Sequence, residues 1–577
     1  METNNKIKSL ANRIINSKYS PYIFIILLGI ITTIPLFTRN LSEYNEFRIH
    51  IGRITTIKEV IEDGVFPPFI SYKHMLGFGY ALNIFYGSLT TYIPILISLI
   101  TKSTTMALKF FTLITVVLSG ITMYWFAFKV TKKKFASLVA ALIYMLAPYK
   151  FTDIYSRNAV GEYTAFIFIP MVFHGIHNLL NNDKKGNYLL VIGSSLLILS
   201  HTITTIYVAL FAIFYLAFNY KKLKNLTLWK YLSIDIVFIL ILTAFYTIPL
   251  LEHKMYGDYL IFDGESMNST GAHVYQETNG ISDWFKNELS NVKNERGEDE
   301  LVFSFGIATT FLMIITIFCY KKIDDKYKDL YVIFWILALI ALFMATKYFP
   351  WPLMPQFLTI IQFAWRLDGF FIFFISIVCG INAYVLINNV KNMKNVTSTL
   401  IISVICIMAC LTAGKYIGKY ENGVDEKFEN TIYELESIGP FNINRDYMPL
   451  LAMKNMDYLK SREDKTIVTS GNALVISESK EKLHDTIEIE GVNKATLELP
   501  YLYYHGYTVK LNGKVIDNYE NEKGFMCVNA DEDGTIEVDY TGTALEKSGF
   551  VISAFGIPML ILWVVIEKRT KKTEKKN

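Results

Sequence analysis

Three polar groups crowd one short stretch, Ser42–Ile54, just after the first long apolar run. Glu46 and His50 are four residues apart, as are Ile49 and Arg53. On a helix such pairs share a face, so a carboxylate, an imidazole and a guanidinium would project together. A carboxylate can take a proton from a hydroxyl, and a guanidinium can grip a phosphate through two parallel hydrogen bonds. Further polar groups recur between apolar runs: Asp153, Arg157 and Glu162, then His201, then Gln362 and Arg366. Plainer readings exist for each. Residues 42–54 also suit an interfacial amphipathic helix. An Arg157–Glu162 pair can simply order a loop. A histidine at a helix-hairpin turn needs no ligand. Arg366 beside Trp365 can snorkel.

The elements that must position these groups follow from composition. The chain has 577 residues, of which 52% are hydrophobic and 15% aromatic. That is the profile of an α-helical polytopic membrane protein. A net charge of +4 does not point to nucleic acid. Of the five cysteines (319, 379, 406, 410 and 527) four lie in apolar runs and none forms a CxxC pair. That argues against a disulfide framework or a cysteine zinc site. Apolar runs near 21–38, 106–128, 135–148, 163–180, 187–200, 203–219, 231–251, 301–320, 329–346, 367–388, 397–414 and 549–566 make twelve candidate spans. The first follows Lys6, Lys8, Arg13 and Lys18 and lacks a small-residue cleavage site, so it reads as a retained span.

Lysines set the expected orientation. With residues 1–20 in the cytoplasm, the clusters at Lys129–Lys134, Lys184/Lys185, Lys221–Lys224, Lys321–Lys328, Lys391/Lys394 and Lys568–Lys576 all fall on that side. Both termini are then cytoplasmic. Residues 81–102 are expected as a membrane-surface or partly inserted helix that stays on the outer side, because a further crossing would invert every later cluster. The expected organisation is a membrane domain over 1–414 with a large first outer loop at 39–104, an extracytoplasmic β-sandwich over 415–548, and a last span with a basic tail over 549–577. The sandwich reading rests on alternation at Thr486–Glu490 and Thr535–Tyr540, with turn signals at Asn512-Gly513 and Asp531–Gly534. With about 130 residues this domain is expected to fold alone, without metal or disulfide. Tyr503, Tyr504 and Tyr507 are either exposed contacts for a glycan or half-buried strand residues.

The motifs resemble a known family. Glu46-x-x-x-His50-x-x-Arg53-Ile54, Asp63-Gly64-x-x-Pro67, Gly79-Tyr80 and Phe85-Tyr86 look like the first outer loop of the bacterial YfhO-like integral membrane proteins. That group includes proteins labelled "6-pyruvoyl-tetrahydropterin synthase-related". Pro148-Tyr149, Arg157-x-Ala159-x-Gly161-Glu162, Ser200-His201 and Gln362-Phe363-x-Trp365-Arg366 match in order. Tyr504-x-Gly506-Tyr507 with Asn512-Gly513 resembles the C-terminal β domain of that family. The family is similar to GT-C glycosyltransferases, which use polyprenyl-phosphate sugars outside the cytoplasm. Glu46 stands where the related proteins usually carry Asp. Pterin chemistry finds no support, for the sequence shows no zinc-binding histidine cluster with an accompanying nucleophile.

The resemblance implies transfer of a sugar from a polyprenyl-phosphate donor to a cell-envelope polymer at the outer face of the bilayer. Glu46, Glu162 and His50 would be catalytic. Arg366, Arg157, Arg53, Gln362 and His201 would hold the donor phosphate. Two carboxylates and water could hold Mg²⁺ or Mn²⁺. The alternatives are a transporter or flippase of envelope precursors, and a non-enzymatic assembly factor. A transporter would place several charges at the bilayer midplane rather than at one face.

Overall fold

The computed structural model describes residues 17–38, 46–72, 74–183, 187–286, 288–289, 301, 303–390, 393–417 and 445–574. Lys6, Lys8, Arg13, Lys184, Lys185 and Lys391, and part of each long loop, lie outside them. The chain is mainly helical: α1 (Ser20–Phe37), α2 (Phe47–Glu62), α3 (Leu89–Thr101), α4 (Thr104–Thr131), α5 (Lys134–Met145), α6 (Val160–Leu180), α7 (Asn187–Ile198), α8 (Thr202–Phe218), α9 (Leu226–Tyr256), α10 (Asp325–Ala345), α11 (Asp368–Asn389), α12 (Lys394–Gly414) and α13 (Ala544–Glu574). Among the described residues, nine helical stretches are long and apolar enough to cross a membrane. The α3, α7 and α8 helices are shorter; the 13 residues of α3 reach only about 20 Å. The expected run at 301–320 is broken into Ile307–Ile314 and Thr316–Cys319. Among the described residues, nine of the twelve expected spans form full-length helices, and those at 187–200, 203–219 and 301–320 form shorter or broken ones.

The chain divides into two compact units that interleave in sequence. The first comprises residues 1–47, 96–236 and 270–425. Its centre is α11, an apolar helix buried on nearly every side. The α5 helix approaches α11 so closely that a Cβ on Gly380 would fall 2.3 Å from the Ala136 carbonyl oxygen. Phe373 packs on Phe126 (5.7 Å) and Phe173 (4.9 Å), tying α11 to α4 and α6. Ser103 caps α4 by accepting the Met106 N–H at 3.1 Å. The lysine-bearing turns gather in one place: Lys129 bonds Asp183, Lys222 donates to Asn181 (2.9 Å), and Lys133 lies 5.0 Å over the Tyr384 ring. That place is the N-terminal end of α5; the polar groups of residues 149–162 follow its C-terminal end.

The second unit comprises residues 48–95, 237–269 and 426–577. Its seven strands are β1 (Ile467–Glu481), β2 (His484–Leu502), β3 (Tyr507–Leu511), β4 (Lys514–Ile516), β5 (Asn518–Glu520), β6 (Phe525–Ala530) and β7 (Gly534–Tyr540). All pairings are antiparallel, in the order β4-β3-β7-β2-β6-β5, with β1 on β2. The β2 strand pairs with β7 over His484–Ile489 and with β6 over Ala495–Leu502. Between them Gly491 (φ 65°) and Lys494 (φ 46°) kink the strand, which lets it change neighbours. All seven strands are thus joined in one hydrogen-bonded sheet. The Asn512-Gly513 turn, both residues at positive φ, closes the β3–β4 hairpin.

The strand domain does not build its core alone. Leu502 N–H donates to the Phe78 carbonyl (2.8 Å), Phe78 packs edge-on to Phe525 (5.1 Å), and Lys480 Nζ reaches the Gly77 carbonyl (2.9 Å). Tyr504 is fully buried, stacked 5.7 Å from Tyr259, and Tyr507 packs edge-on to Tyr540 at 5.0 Å. Those two tyrosines are core residues, not a glycan-facing surface.

Candidate functional site

A break in helical regularity positions the central pair of the first unit. After Pro148–Phe151 the chain makes a π turn, Thr152–Arg157, and stops at Asn158 in the left-handed region (φ 55°). A π turn widens the helix by one residue, which sets Asp153 and Arg157 beside the start of α6. There Arg157 Nη1 donates to Asp153 Oδ1 (2.5 Å) and to Glu162 Oε2 (2.8 Å). Tyr149 O–H donates to the other Glu162 oxygen. The guanidinium lies over the Trp365 ring at 4.5 Å. Glu46 enters from a different segment: its N–H donates to the Arg157 carbonyl (3.2 Å), and its Oε1 is 3.6 Å from Arg157 Nη2.

Arg366 joins from the turn before α11. Its Nη1 donates to the Ile361 carbonyl and to Gln362 Oε1, both at 2.8 Å. Gln362 adopts a positive φ of 64°, which turns its side chain back toward Arg366. Arg366 Nε lies 3.3 Å from Glu162 Oε2, an ion pair without hydrogen-bond geometry. Its Nη2 makes no hydrogen bond among the described residues. His201 caps α8 by accepting the Thr204 N–H at Nδ1 (3.4 Å) and feels the charges of Glu162, Arg366, Glu46 and Arg157. Burial pulls its imidazole down to about 4, against the opposing pull of Glu162. The ring is therefore neutral at pH 7, and with Nδ1 accepting, Nε2 carries the proton.

Six sequence-derived candidates thus meet in this unit: Glu46, Arg157, Glu162, His201, Gln362 and Arg366. His50 and Arg53 belong to the second unit. There Arg53 donates to Thr91 Oγ1 (3.0 Å), lies 3.5 Å over the Tyr86 ring and sits 3.4 Å from His50 Nδ1. The helical spacing does pair His50 with Arg53, but both are buried among their own partners. Two buried groups escaped the sequence reading. Lys150 bonds Ser119, and Asp368 accepts from Asn279 (2.6 Å) and Trp284 (3.2 Å). A charge inside or at the start of an apolar run was the available signal.

The acids differ in access. Side chains of Asp153 and Glu162 are 0% and 6% exposed, whereas Glu46 is 38% exposed. An acid that must meet an incoming hydroxyl has to be the exposed one. A divalent cation fits this cluster poorly. Arg157 already pairs with all three carboxylates and occupies the space between them that an ion would need.

No family model matches the chain. A protein of Lactococcus lactis subsp. cremoris (strain MG1363), described as uncharacterized, is 28% identical over 343 residues. The match covers 57% of this chain and 54% of that protein, so the chain spans about half the length of this relative. Among solved structures, an Archaeoglobus fulgidus oligosaccharyltransferase in complex with Zn and sulfate aligns over 76% of this chain and 57% of its own. The TM-score is 0.39 and the identity 14%, a likeness too loose to bear on activity.

Proposed function

We propose that this chain is a membrane glycosyltransferase. It moves a sugar from a polyprenyl-phosphate donor to a cell-envelope glycan or polymer on the extracytoplasmic face. One observation carries the reading: a solvent-reaching acid, Glu46, and a guanidinium with a donor to spare, Arg366, belong to one ion cluster around Arg157 and Glu162. The gathering of lysines at the opposite end of α5 supports an outer-face position for that cluster. The motif resemblance to YfhO-like proteins points the same way.

In the reaction, Glu46 takes the proton of the acceptor hydroxyl. The acceptor oxygen bonds to the anomeric carbon as the bond from that carbon to the phosphate oxygen breaks. The lipid phosphate leaves with the electron pair, and Arg366 Nη2 meets its growing charge. Arg157, Asp153 and Glu162 are the positioning core that holds both in place. His201 supplies a neutral Nε2–H donor beside them. The test is incubation of purified protein with a panel of polyprenyl-phosphate sugars, scored for release of the lipid phosphate.

A further inference from the structure

A second polar cluster lies wholly in the other unit, where the end of α9 meets the start of α13. One ligand atom each from Glu252, His253 and Glu546 fall within 4.8 Å of one another, and all three residues are buried. His505, from the turn before β3, adds a second imidazole with Nε2 3.7 Å from Glu252 Oε1. Tyr256 stacks on that ring at 4.8 Å and fixes its plane.

The hydrogen bonding of His253 calls for a positive centre here, either the protonated ring itself or a bound cation. Its Nδ1 lies 2.9 Å from the Pro249 carbonyl, an oxygen that can only accept. The Nδ1 therefore carries the proton, and a neutral ring keeps a lone pair on Nε2. Yet Nε2 faces only oxygens: the His505 carbonyl at 3.2 Å and Glu546 Oε1 at 3.8 Å. Lone pairs facing lone pairs in a buried place repel unless the ring is protonated or a cation sits among them. A backbone carbonyl holding Nδ1–H is also the usual arrangement behind a metal-binding Nε2.

We propose that Glu252, His253, Glu546 and His505 bind one zinc-class divalent ion. Two imidazoles with two carboxylates suit zinc, whereas magnesium and calcium prefer all-oxygen shells. Zinc bonds of 2.0–2.2 Å place tetrahedral ligand atoms roughly 3.4 Å apart, so the Glu252–His253–Glu546 trio and the His505–Glu252 contact must contract by roughly 0.3–1.4 Å, and the His505 carbonyl, 3.2 Å from His253 Nε2, must turn aside or join the shell. The carboxylates are already oriented. Thr543 O–H donates to Glu252 Oε2 (2.6 Å), Tyr540 O–H to Glu546 Oε1 (2.8 Å), and Thr543 N–H to Glu546 Oε2 (2.9 Å). His505, 37% exposed, gives the ion an entry side. The ion would tie α9, the β3 turn and α13 together, three segments far apart in sequence.

The experiment uses the full-length chain in detergent, stripped with EDTA and dialysed against zinc. Metal content is read by mass spectrometry, and the thermal midpoint is followed with Zn²⁺ and with Mg²⁺. The expected result is one zinc per chain and a midpoint that rises with Zn²⁺ but not Mg²⁺. H505A, which changes a half-exposed side chain, should weaken zinc binding at least tenfold, and E546Q should abolish the midpoint rise. Absence of retained zinc, or equal binding and equal midpoint rise in both variants, overturns the proposal. His253 would then be an imidazolium held by two carbonyls.

Discussion

Glu46 closes on Arg157 twice, through its backbone N–H to the Arg157 carbonyl (3.2 Å) and through its carboxylate to Nη2 (3.6 Å). The first contact fixes where the acid stands. The second keeps it beside a permanent positive charge while leaving it open to solvent. An acid so held can act on an arriving hydroxyl without first being ordered by it.

Arg157 is the keystone of that arrangement. R157A leaves the Asp153 and Glu162 carboxylates buried without their cation, which should cost about 3–5 kcal/mol. Thermal unfolding in detergent should show a much lower midpoint. The triple change R157A/D153N/E162Q should recover much of the loss, because the buried charges go with the guanidinium. An unchanged midpoint in R157A would show that the cluster is solvated.

Arg366 should act on donor affinity. R366K keeps the charge but loses the planar fork that spans Gln362, the Ile361 carbonyl and a phosphate. Loss of a charge-assisted hydrogen bond predicts a rise in donor KM of roughly 10–100-fold, with a smaller change in kcat. Steady-state kinetics at saturating acceptor separates the two.

Asp485 predicts a pH dependence in the strand domain. Burial, with Glu478 adding to it, raises its carboxyl to about 7, and Lys480 only partly opposes this. An unfolded aspartate titrates near 3.9. The folded state therefore holds the extra proton between those values. Its stabilising contribution is full below about 4 and is lost as pH rises through about 7. D485N should remove this loss. Cys527, buried in β6, is the local reporter: its alkylation at pH 8 should be slower in D485N than in wild type, with little difference at pH 5.

The packing of Phe78 on Phe525, and of Leu502 on the Phe78 carbonyl, predicts that the strand domain needs residues 48–95. A fragment covering only 445–543 should melt without a cooperative transition. A sharp melt would restore the view of it as a self-sufficient insert.

Much of this was legible in the sequence where local chemistry decides. The apolar runs predicted nearly every helix, and the Asn512-Gly513 pair marked a turn that formed. Glu46, Arg157, Glu162, His201, Gln362 and Arg366 could be gathered because the lysine pattern puts the connections that carry them on one side of the bilayer. What was not legible depended on tertiary partners. The spacing of Glu46, His50 and Arg53 predicted a shared face, but α2 begins at Phe47, so Glu46 precedes the helix, while Arg53 stacks on Tyr86. The single sheet rests on a kink at Gly491, which alternation alone cannot reveal. The Glu252–His253–Glu546 cluster joins positions almost 300 residues apart, beyond the reach of any spacing rule.

The role of Glu46 as the base is tested most directly by comparing wild type with E46Q in one assay. Membranes matched for protein level receive a radiolabelled polyprenyl-phosphate sugar, and transfer to envelope polymer is counted. Glutamine keeps the size and polarity of Glu46 but cannot accept the proton. Turnover should fall by about 10²–10⁴-fold, with folding unchanged because the side chain is part-exposed. Wild-type turnover in E46Q would show that Glu46 is not the base and would place it elsewhere, with Glu162 next to be tested.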